Sequence, residues 1–242
     1  MASKVTAWSY SRYTTYKQCP LKFYLANIAK IAEPPNPAME RGSEIHKLAE
    51  DYINGKLTKM PPELGKFAKM FRQLKKIRKK VSSGMAVEDT WAFTKDWTET
   101  QWNNWTQCWV RIKLDCAVYE NEDTLIINDW KTGKFRPQQN ADYVEQLELY
   151  ALGALLLYED IEVVKPRLVY LDEGTVFPAP GSPEEKSLTF YRKDIDRLKK
   201  LWEKRVKPMF LDESFAPRPN NLCRWCFYRK DNAANGGGQC EY

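Results

Sequence analysis

The 242-residue sequence contains no long hydrophobic run. No stretch approaches the ~18 apolar residues that a membrane-spanning helix needs. The residues after Met1 are polar and aromatic, unlike the apolar core of a signal peptide. We therefore expect a cytosolic protein without membrane segments. Structural disulfides are rare in that reducing compartment, so any of the six cysteines that cluster are expected to bind metal.

The sequence also lacks a nucleotide-binding motif and has only one histidine. The phosphate-binding loop of nucleotide hydrolases, Gly-X-X-X-X-Gly-Lys followed by Ser or Thr, does not occur, so no ATP-driven motor activity is expected. Histidine occurs once, at His46, and a lone histidine is more often a structural residue than a ligand. The 38 basic residues outnumber the 32 acidic ones, and the net charge of +6 is compatible with a polyanionic partner without requiring one.

A β-hairpin is predicted between Trp109 and Gly133. Apolar and charged residues alternate along Trp109–Tyr119, which predicts a strand, and the run Glu-Asn-Glu-Asp at 120–123 is typical of a turn. The predicted apolar face of this strand is made of Val110, Ile112, Leu114, Cys116 and Val118. Its charged face is made of Arg111, Lys113 and Asp115.

The returning strand of this hairpin carries Asp129-Trp130-Lys131. Asp129 and Lys131 share one face because side chains alternate along a strand, and Trp130 points to the other face. If the hairpin is centred near Glu122, antiparallel pairing places Asp115 opposite Asp129. Two carboxylates and a lysine are then expected on one patch.

Two carboxylates across a ladder repel one another unless a cation neutralises them. A divalent ion such as Mg²⁺ takes carboxylate oxygens as ligands and keeps positions open for water and phosphate oxygens, while an adjacent lysine can polarise the attacking water. That combination suits hydrolysis of a phosphodiester. For an arbitrary Asp-X-Lys motif, a charged strand face in contact with solvent is the commoner structure, so the interpretation depends on the other motifs.

The remaining sequence combines helix and strand patterns. Helices are predicted on both sides of Cys19-Pro20 within Ser9–Ala29, and over Ala38–Asn54, Pro61–Ser83, Asp142–Tyr158 and Asp194–Val206. Strands are predicted over Met85–Trp97, Val163–Leu171 and Ser187–Tyr191. Glu88, on the strand predicted from Met85, could join the hairpin site. His46 lies on a predicted helix one turn after Gly42, and Gln146 and Tyr150, also one helical turn apart, would present an amide and a phenol together.

Two segments have both a structural and a nucleic-acid-binding interpretation. The lysine-rich helix over Pro61–Ser83 is either a solvated surface or a contact for a phosphate backbone. The tryptophans between Trp97 and Trp109 either stack on bases or fill the core. The sequence does not separate these alternatives.

The cysteines near the C-terminus predict a second metal centre. Cys223-X-X-Cys226 has a metal-type spacing, and Cys240 follows in the same loop-like segment. Cys19 is the natural fourth ligand, because the other two cysteines belong to the hairpin, where we expect small buried side chains. Four thiolates suit either zinc or an iron–sulfur cluster.

The order of these motifs resembles that of RecB-type nucleases of the PD-(D/E)XK superfamily. It looks closest to the compact iron–sulfur members related to CRISPR-associated and phage exonucleases. The residues that carry the resemblance are Cys19-Pro20, Gly42-Ser43-Glu44-Ile45-His46, Asp115, Asp129-Trp130-Lys131-Thr132-Gly133, Gln146-Leu147-Glu148-Leu149-Tyr150 and the C-terminal cysteines. Its specificity lies in their order along nearly the whole chain.

The resemblance implies an α/β fold with a restriction-endonuclease-like core, in which a mixed β-sheet is flanked by helices. It implies Mg²⁺ or Mn²⁺ held by His46, Asp115, Asp129 and the main-chain carbonyl of Trp130. It implies Lys131 as the catalytic lysine, and Gln146 and Tyr150 as groups that support the site or contact DNA. The choice of a 4Fe-4S cluster over zinc also rests on it, with Cys19, Cys223, Cys226 and Cys240 as the ligands.

We therefore expect a metal-dependent DNA nuclease, acting as an exonuclease on DNA ends or single strands. A single domain over 1–242 is expected, with 1–30 and 207–242 as a cysteine-rich metal-cluster lobe, 31–84 as a helical segment and 85–206 as the catalytic core. The alternatives are a nonenzymatic DNA-binding module on a nuclease fold and a zinc-stapled nuclease. Paired carboxylates beside a lysine favour the enzyme, because a binder has no need for them near phosphate. Protein partners in recombination, repair or CRISPR adaptation stay open.

Overall fold

The computed structural model describes residues 5–80 and 85–242. These residues form a seven-stranded mixed sheet. Its strands are Trp8–Ser9 (β1), Met85–Phe93 (β2), Val110–Tyr119 (β3), Thr124–Lys131 (β4), Val163–Tyr170 (β5), Thr175–Phe177 (β6) and Phe190–Tyr191 (β7). They lie in the order β1-β3-β4-β5-β6, with β2 also paired to β3 and β7 to β5. The β1–β3 and β4–β5 pairs are parallel and the other pairs antiparallel.

Helices connect these strands. The α-helices are Tyr10–Gln18 (α1), Pro20–Asn27 (α2), Pro37–Ile53 (α3), Ala68–Lys80 (α4), Asn140–Leu157 (α5), Pro183–Ser187 (α6) and Ile195–Leu211 (α7). Short 3₁₀ helices cover Pro62–Phe67, Pro137–Gln139, Arg192–Asp194, Cys223–Trp225 and Lys230–Asn235. None of the helices in the described ranges is long and apolar enough to cross a membrane.

The helices cover both faces of the sheet. On one face α3 and α4 pack against β4, where the rings of Phe71 and Trp130 are 4.9 Å apart. On the other face α5 and α7 contribute Leu147 and Trp202 to a second, larger core. Helix α5 is the crossover between the parallel strands β4 and β5, which explains why its sequence is apolar on most sides.

On one edge of β3, strand β2 pairs with the residues from Val110 to Val118 except Asp115. Along the other edge, β4 pairs with Cys116–Tyr119 and β1 pairs with Val110 and Arg111. The intervening residues, Ile112 to Asp115, have no strand partner in the register on that edge. The sheet therefore forks at Asp115, at the point where the predicted carboxylates lie.

The register of the predicted hairpin is confirmed. Cys116 pairs with Asn128 and Tyr119 with Leu125, which centres the hairpin on Glu122. The predicted break between two helices at Cys19 is also confirmed, since α1 ends at Gln18 and α2 begins at Pro20. Proline fits the first turn of α2 because it has no N–H to leave unpaired there.

The predicted continuous apolar face of β3 is wrong. Val110, Ile112 and Leu114 lie in the core beside α5, whereas Cys116 and Val118 lie in the core beneath α3 and α4. The change of face coincides with a break in the β2–β3 ladder. Glu88, which stands opposite Asp115, is missing from the bridged register and has a φ of 50°. Such an irregularity rotates a strand locally, and it is common beside functional sites.

Other element boundaries differ from the sequence-based expectations. The predicted strand over Ser187–Tyr191 is reduced to its last two residues, because Ser182 caps a short helix, α6, by accepting a hydrogen bond from the N–H of Glu185. The predicted strand from Met85 ends at Phe93 rather than at Trp97.

The predicted lysine-rich helix begins later than expected. A 3₁₀ helix occupies Pro62–Phe67, and the α-helix proper is α4. Positions 81–83 of the expected helix lie outside the described residues.

Candidate active site

Asp129 and Lys131 lie side by side at the end of β4. Asp129 Oδ2 is 2.6 Å from Lys131 Nζ, while Trp130 is buried on the opposite face. Helix α5 supplies two further contacts from residues one turn apart. Tyr150 donates a hydrogen bond of 2.5 Å to Asp129 Oδ1, and Gln146 Nε2 donates to the same oxygen at 3.3 Å.

Gln146 connects the whole group. Its Oε1 accepts a hydrogen bond from Lys131 Nζ at 3.2 Å, and its Nε2 also donates to the hydroxyl of Tyr150 at 3.0 Å. Burial, followed by the charge of Asp129, raises the pKa of Tyr150, so this hydroxyl stays protonated and remains a donor. The Asp129 carboxylate and the Lys131 ammonium are therefore held by side chains on a rigid helix.

Asp115 is buried at the fork between β3 and β4. Its Oδ2 accepts a hydrogen bond of 2.7 Å from the main-chain N–H of Trp130. Its Oδ1 is 3.1 Å from Nδ1 of His46, which comes from α3 on the other side of the sheet. Burial, together with the charge of Asp129, raises the pKa of Asp115.

Glu88 joins the same group from β2. Its Oε1 is 3.8 Å from His46 Nδ1, and its Oε2 is 2.9 Å from Lys113 Nζ. Within the described ranges, His46, Glu88 and Asp115 are the one group of three potential metal-ligating side chains whose ligand atoms all lie within 4.8 Å of one another. Oε1 of Glu88 is buried, and no hydrogen-bond donor among residues 5–80 and 85–242 reaches it. A buried carboxylate oxygen without a donor favours a cation as its partner.

The charges of this group affect the pKa of His46. Burial lowers this pKa, but contacts with Asp115 and Glu88 and the charge of Asp129 outweigh burial and raise it to about 10. For Glu88, burial raises the pKa, yet the contacts with His46 and Lys113 lower it overall. Without metal, a protonated His46 therefore adds a positive charge to those of Lys113 and Lys131 beside these carboxylates. A divalent cation can supply that charge instead.

Comparison with known families identifies the chain. The model of the PD-(D/E)XK nuclease superfamily matches residues 7–230. The chain belongs to this superfamily. The family supports the prediction of a nuclease, and the mixed sheet flanked by helices agrees with the predicted PD-(D/E)XK fold.

Two solved structures are similar to this PD-(D/E)XK chain. One is a candidate exonuclease from Eubacterium rectale, with 13% identity, 91% of this chain and 87% of that chain covered, and a TM-score of 0.44. The other is the protein SSO0001, with 12% identity, 93% of this chain and 84% of that chain covered, and a TM-score of 0.36. A search of curated proteins gives no match.

PD-(D/E)XK nucleases use divalent metals, and the described part of this chain contains a suitable His/Glu/Asp group. The residues predicted around the metal are brought to one end of the sheet. Asp129, however, contacts Lys131 and α5 instead of joining the tight group. Glu88 takes that place, and the sequence identified it only as a residue that could join the patch. Lys113, on the predicted charged face of β3, was not recognised as its partner.

The four predicted cluster cysteines line a cavity of about 220 Å³ between the N- and C-terminal segments. Main-chain N–H groups of Arg218 and Asn220 donate to Sγ of Cys19 at 3.5 Å and of Cys223 at 3.3 Å. No three sulfurs of the chain, all of whose cysteines are described, lie within 4.8 Å of one another. Thiolates on a tetrahedral zinc ion, with Zn–S bonds of ~2.3 Å, are ~3.8 Å apart. The sulfurs are thus spaced more widely than a zinc ion requires.

Of the tryptophans between Trp97 and Trp109, two fill the core and two are exposed to solvent. Trp97 and Trp109 are buried and pack edge-to-face with ring centroids 5.2 Å apart. Trp102 and Trp105 are exposed. The core explains the first two residues, and the second two are available to a ligand.

Proposed function

We propose that the protein is a divalent-metal-dependent deoxyribonuclease that acts as an exonuclease on DNA ends or single strands. The observation that carries this proposal is the convergence of three buried or half-buried carboxylates, one histidine and one lysine at the fork of the sheet. Oε1 of Glu88 is buried in this group without a hydrogen-bond donor among the described residues, which favours a cation as its partner.

His46, Asp115, Asp129 and the main-chain carbonyl of Trp130 are proposed to hold Mg²⁺ or Mn²⁺, with Glu88 as a further ligand. A bound divalent ion supplies charge neutralisation for the phosphate and lowers the pKa of water. The histidine nitrogen must lose its proton before it can act as a ligand.

Lys131 is proposed to orient the attacking water and to stabilise negative charge on the phosphate. Its ammonium is fixed by Asp129 and by Gln146. Gln146 and Tyr150 are proposed to hold the Asp129 carboxylate, since both donate to Oδ1 and leave Oδ2 towards the lysine. In the reaction the water oxygen bonds to phosphorus, the bond to the leaving oxygen breaks, and a proton passes to that oxygen.

We also propose that Cys19, Cys223, Cys226 and Cys240 bind a 4Fe-4S cluster. Their sulfurs surround one cavity at a spacing wider than a single zinc ion requires, and main-chain N–H groups point at two of them. In a cubane cluster each thiolate binds a different iron, which suits wider spacing. The cysteine lobe, the division of 1–242 into lobe, helical segment and core, and a cytosolic location belong to the same proposal.

The nuclease proposal is tested by incubating the protein with end-labelled linear DNA, single-stranded and double-stranded, with Mg²⁺, with Mn²⁺ or with EDTA. Progressive shortening from the ends that requires a divalent ion supports the proposal. A circular single strand is the matched substrate without ends. Cleavage of the circle at the linear rate contradicts exonuclease action, and binding without any cleavage favours the nonenzymatic alternative.

A further inference from the structure

A cavity of about 500 Å³ lies beside the candidate active site, in the fork between β1 and β4. Gln146 and Tyr150, which both donate to the Asp129 carboxylate, are among the residues that line it. Its other walls come from the start of α1, from β3 and from the exposed tryptophans. The proposed chemistry assigns no role to these walls.

Two arginines in the cavity lack acidic partners. Arg111 is only 9% exposed, and its Nη2 is buried without a hydrogen-bond acceptor. Arg12, which is half-buried, donates to the main-chain carbonyl of Ala7 at 3.0 Å. Among the described residues neither guanidinium forms an ion pair. Burial, followed by the charge of Arg111, lowers the pKa of Arg12.

A buried guanidinium without an acidic partner favours an anion beside it. Arginine is well suited to phosphate because its planar guanidinium can donate two parallel hydrogen bonds. The exposed Lys113 also lines the cavity, although its ammonium is paired with Glu88. The lining residues of this cavity include no Asp or Glu.

Trp105 forms the outer wall and is 74% exposed. Its ring lies 4.5 Å from the guanidinium carbon of Arg111, which also lies 5.6 Å from the ring of Trp102. Arg111 Nε donates to the main-chain carbonyl of Trp102 at 3.0 Å, so the arginine holds both rings at the mouth of the cavity. A fixed, exposed indole next to a phosphate-type site has the features of a base-stacking platform.

We propose that this cavity binds one nucleotide of single-stranded DNA, with a phosphate against Arg111 and Arg12 and a base stacked on Trp105. The proposal rests on the proposed nuclease function and names its substrate as an unpaired strand. Bases in a duplex are already stacked on their neighbours, so only an unpaired strand can offer a base face to the indole. Such a strand would enter along the fork and place the next phosphate near Asp115 and Asp129.

The test is binding of a fluorescent single-stranded oligonucleotide to the full chain, measured by anisotropy in EDTA so that no cleavage occurs. Trp105→Ala is expected to weaken binding about tenfold, in the range measured for base–aromatic stacking. Arg12→Gln is expected to weaken binding and to flatten its salt dependence. Neither change is expected to alter binding of a blunt duplex by more than about twofold, since a duplex offers no free base face.

Matched controls lie at the far end of the sheet. Tyr191 is an exposed aromatic with Lys193 5.3 Å from its ring, and it pairs with Val163, at the opposite end of β5 from Tyr170. Arg197, in the first turn of α7, pairs with Asp194 at 3.3 Å and is the control for Arg12. Tyr191→Ala and Arg197→Gln are expected to leave single-strand binding unchanged. Equal losses in Trp105→Ala and Tyr191→Ala would overturn the proposal, as would equal losses for single strand and duplex in Trp105→Ala.

Arg111→Gln is a poor test, because Arg111 also contacts Trp102 and Trp105 and its replacement would disturb the fold of that segment. The exposed Trp105 and half-buried Arg12 variants keep the proposal falsifiable, and unchanged single-strand affinity in both contradicts it. Oligonucleotides with a 5′-phosphate or a 5′-hydroxyl distinguish two sources of the anion. If Arg12→Gln weakens both equally, the site holds an internal phosphodiester; if it weakens only the phosphorylated strand, the site holds a terminal phosphate.

Failure of this proposal differs from failure of the nuclease function. Metal-dependent cleavage with unchanged binding in the Trp105 and Arg12 variants contradicts the nucleotide site alone. Selective loss of single-strand binding in these variants, with no cleavage in the wild-type protein, supports the nucleotide site and contradicts the enzyme.

Discussion

Glu88 and Asp115 stand opposite one another at the one step missing from the β2–β3 register, and both carboxylates lie within 3.8 Å of Nδ1 of His46. The positive φ of Glu88 departs from ordinary strand geometry at that step. Strained backbone of this kind persists when the surrounding structure holds it in place, and it concentrates at functional sites. We interpret the irregularity as the feature that turns Glu88 towards the histidine.

Substitution of Asp129 or Lys131 is expected to remove cleavage while sparing binding. Asp129→Ala and Lys131→Ala should each lower the rate of metal-dependent cleavage by roughly 10²-fold or more, as loss of a group that stabilises transition-state charge does. Lys131→Ala should leave DNA affinity within about threefold, because one lysine contributes little to a multi-phosphate contact.

The matched control for these variants is Lys165→Ala. Lys165, on β5, also pairs with a carboxylate, that of Glu120, at 2.5 Å. It lies towards the opposite end of β5 from Tyr170, which is the β5 partner of Lys131. Full cleavage activity in Lys131→Ala, or an equal loss in Lys165→Ala, would contradict the assigned site.

The hairpin part of the site could be predicted because it depends on local rules. Alternation along β4 places Asp129 beside Lys131, and a turn at 120–123 sets the register that brings Asp115 to the end of the same ladder. Helical spacing predicted that Gln146 and Tyr150 share a face, and the resemblance to the nuclease family implied their place at the site.

The rest of the site depends on long-range pairing that leaves little local signal. Glu88 reaches His46 through a positive φ that no residue type at that position indicates. The arginine cavity depends on parallel pairing of the two-residue strand β1 with Val110 and Arg111. A two-residue strand is too short to show periodicity. The sequence therefore contains no sign that Arg12 and Arg111 line one cavity.

Manganese is expected to support activity at least as well as magnesium. An imidazole nitrogen suits Mn²⁺ better than the harder Mg²⁺. In the wild-type protein, Mn²⁺ should raise the midpoint of thermal unfolding more than Mg²⁺ at equal concentration, because a ligand that binds only the folded state stabilises it by mass action. His46→Ala should remove this difference.

Lys47→Ala on the same helix is the control for His46, because Lys47 is exposed and pairs with Glu50 and Asp51 instead of the site. A strict requirement for Mg²⁺, or an unchanged preference for Mn²⁺ in His46→Ala, would argue against histidine ligation.

The ion pair between Arg41 and Asp172 is expected to make stability depend on acidic pH. Arg41 Nη2 is 2.8 Å from Asp172 Oδ1, and its Nη1 also approaches the carbonyl of Thr132, next to Lys131. The hydrogen bond from Arg41 lowers the pKa of Asp172 below its usual 3.8. A carboxyl whose pKa is lower in the folded state than in the unfolded state stabilises the protein at pH values above its unfolded-state pKa. This stabilisation is lost as the pH falls towards the folded-state pKa.

Urea unfolding between pH 2.5 and 6 measures this contribution. Asp172→Asn should lower the free energy of unfolding at pH 6 and should converge with the wild type at the acidic end. Because the pair is largely exposed, the difference should also shrink at high salt. A constant difference at all pH values would mean that the side chain acts through packing instead.

The basic surface of α4 is expected to contribute to the salt dependence of DNA binding. Lys76, Lys79 and Lys80 are exposed, whereas Lys75 lies 4.3 Å from the ring of Tyr52 and donates to the carbonyl of Leu57. Replacing the three exposed lysines with glutamine should reduce the slope of log affinity against log salt by up to about 2 for a single strand, through fewer released counterions.

Lys200, Lys204 and Lys207 are an equally exposed triplet on α7 and serve as the matched control. If both triple variants change the slope equally, net charge explains the effect. If neither changes it, α4 is a solvated surface.

Removal of Cys19 is expected to release the proposed cluster and to loosen the C-terminal tail. The tail is anchored by Phe215, which stacks on Phe23 with ring centroids 6.0 Å apart, and by the hydroxyl of Tyr228, which donates to the carbonyl of Ile31 at 2.7 Å. Few aliphatic side chains lie between these anchors, so a metal clip between Cys19 and the tail should supply much of the remaining order. Protein purified without oxygen should be brown and contain about four irons per chain.

Cys19→Ser should lose the iron and become sensitive to protease after Pro217, while cleavage before Phe215 should stay slow. Cys108→Ser is the matched control, because Cys108 is buried at the start of the hairpin, away from the cysteine cavity, and should keep both the iron and the protease resistance. One zinc and no iron after anaerobic purification would favour the zinc staple, in which case the sulfurs must approach one another more closely than they do here. A full complement of iron in Cys19→Ser would show that another group completes the ligand set.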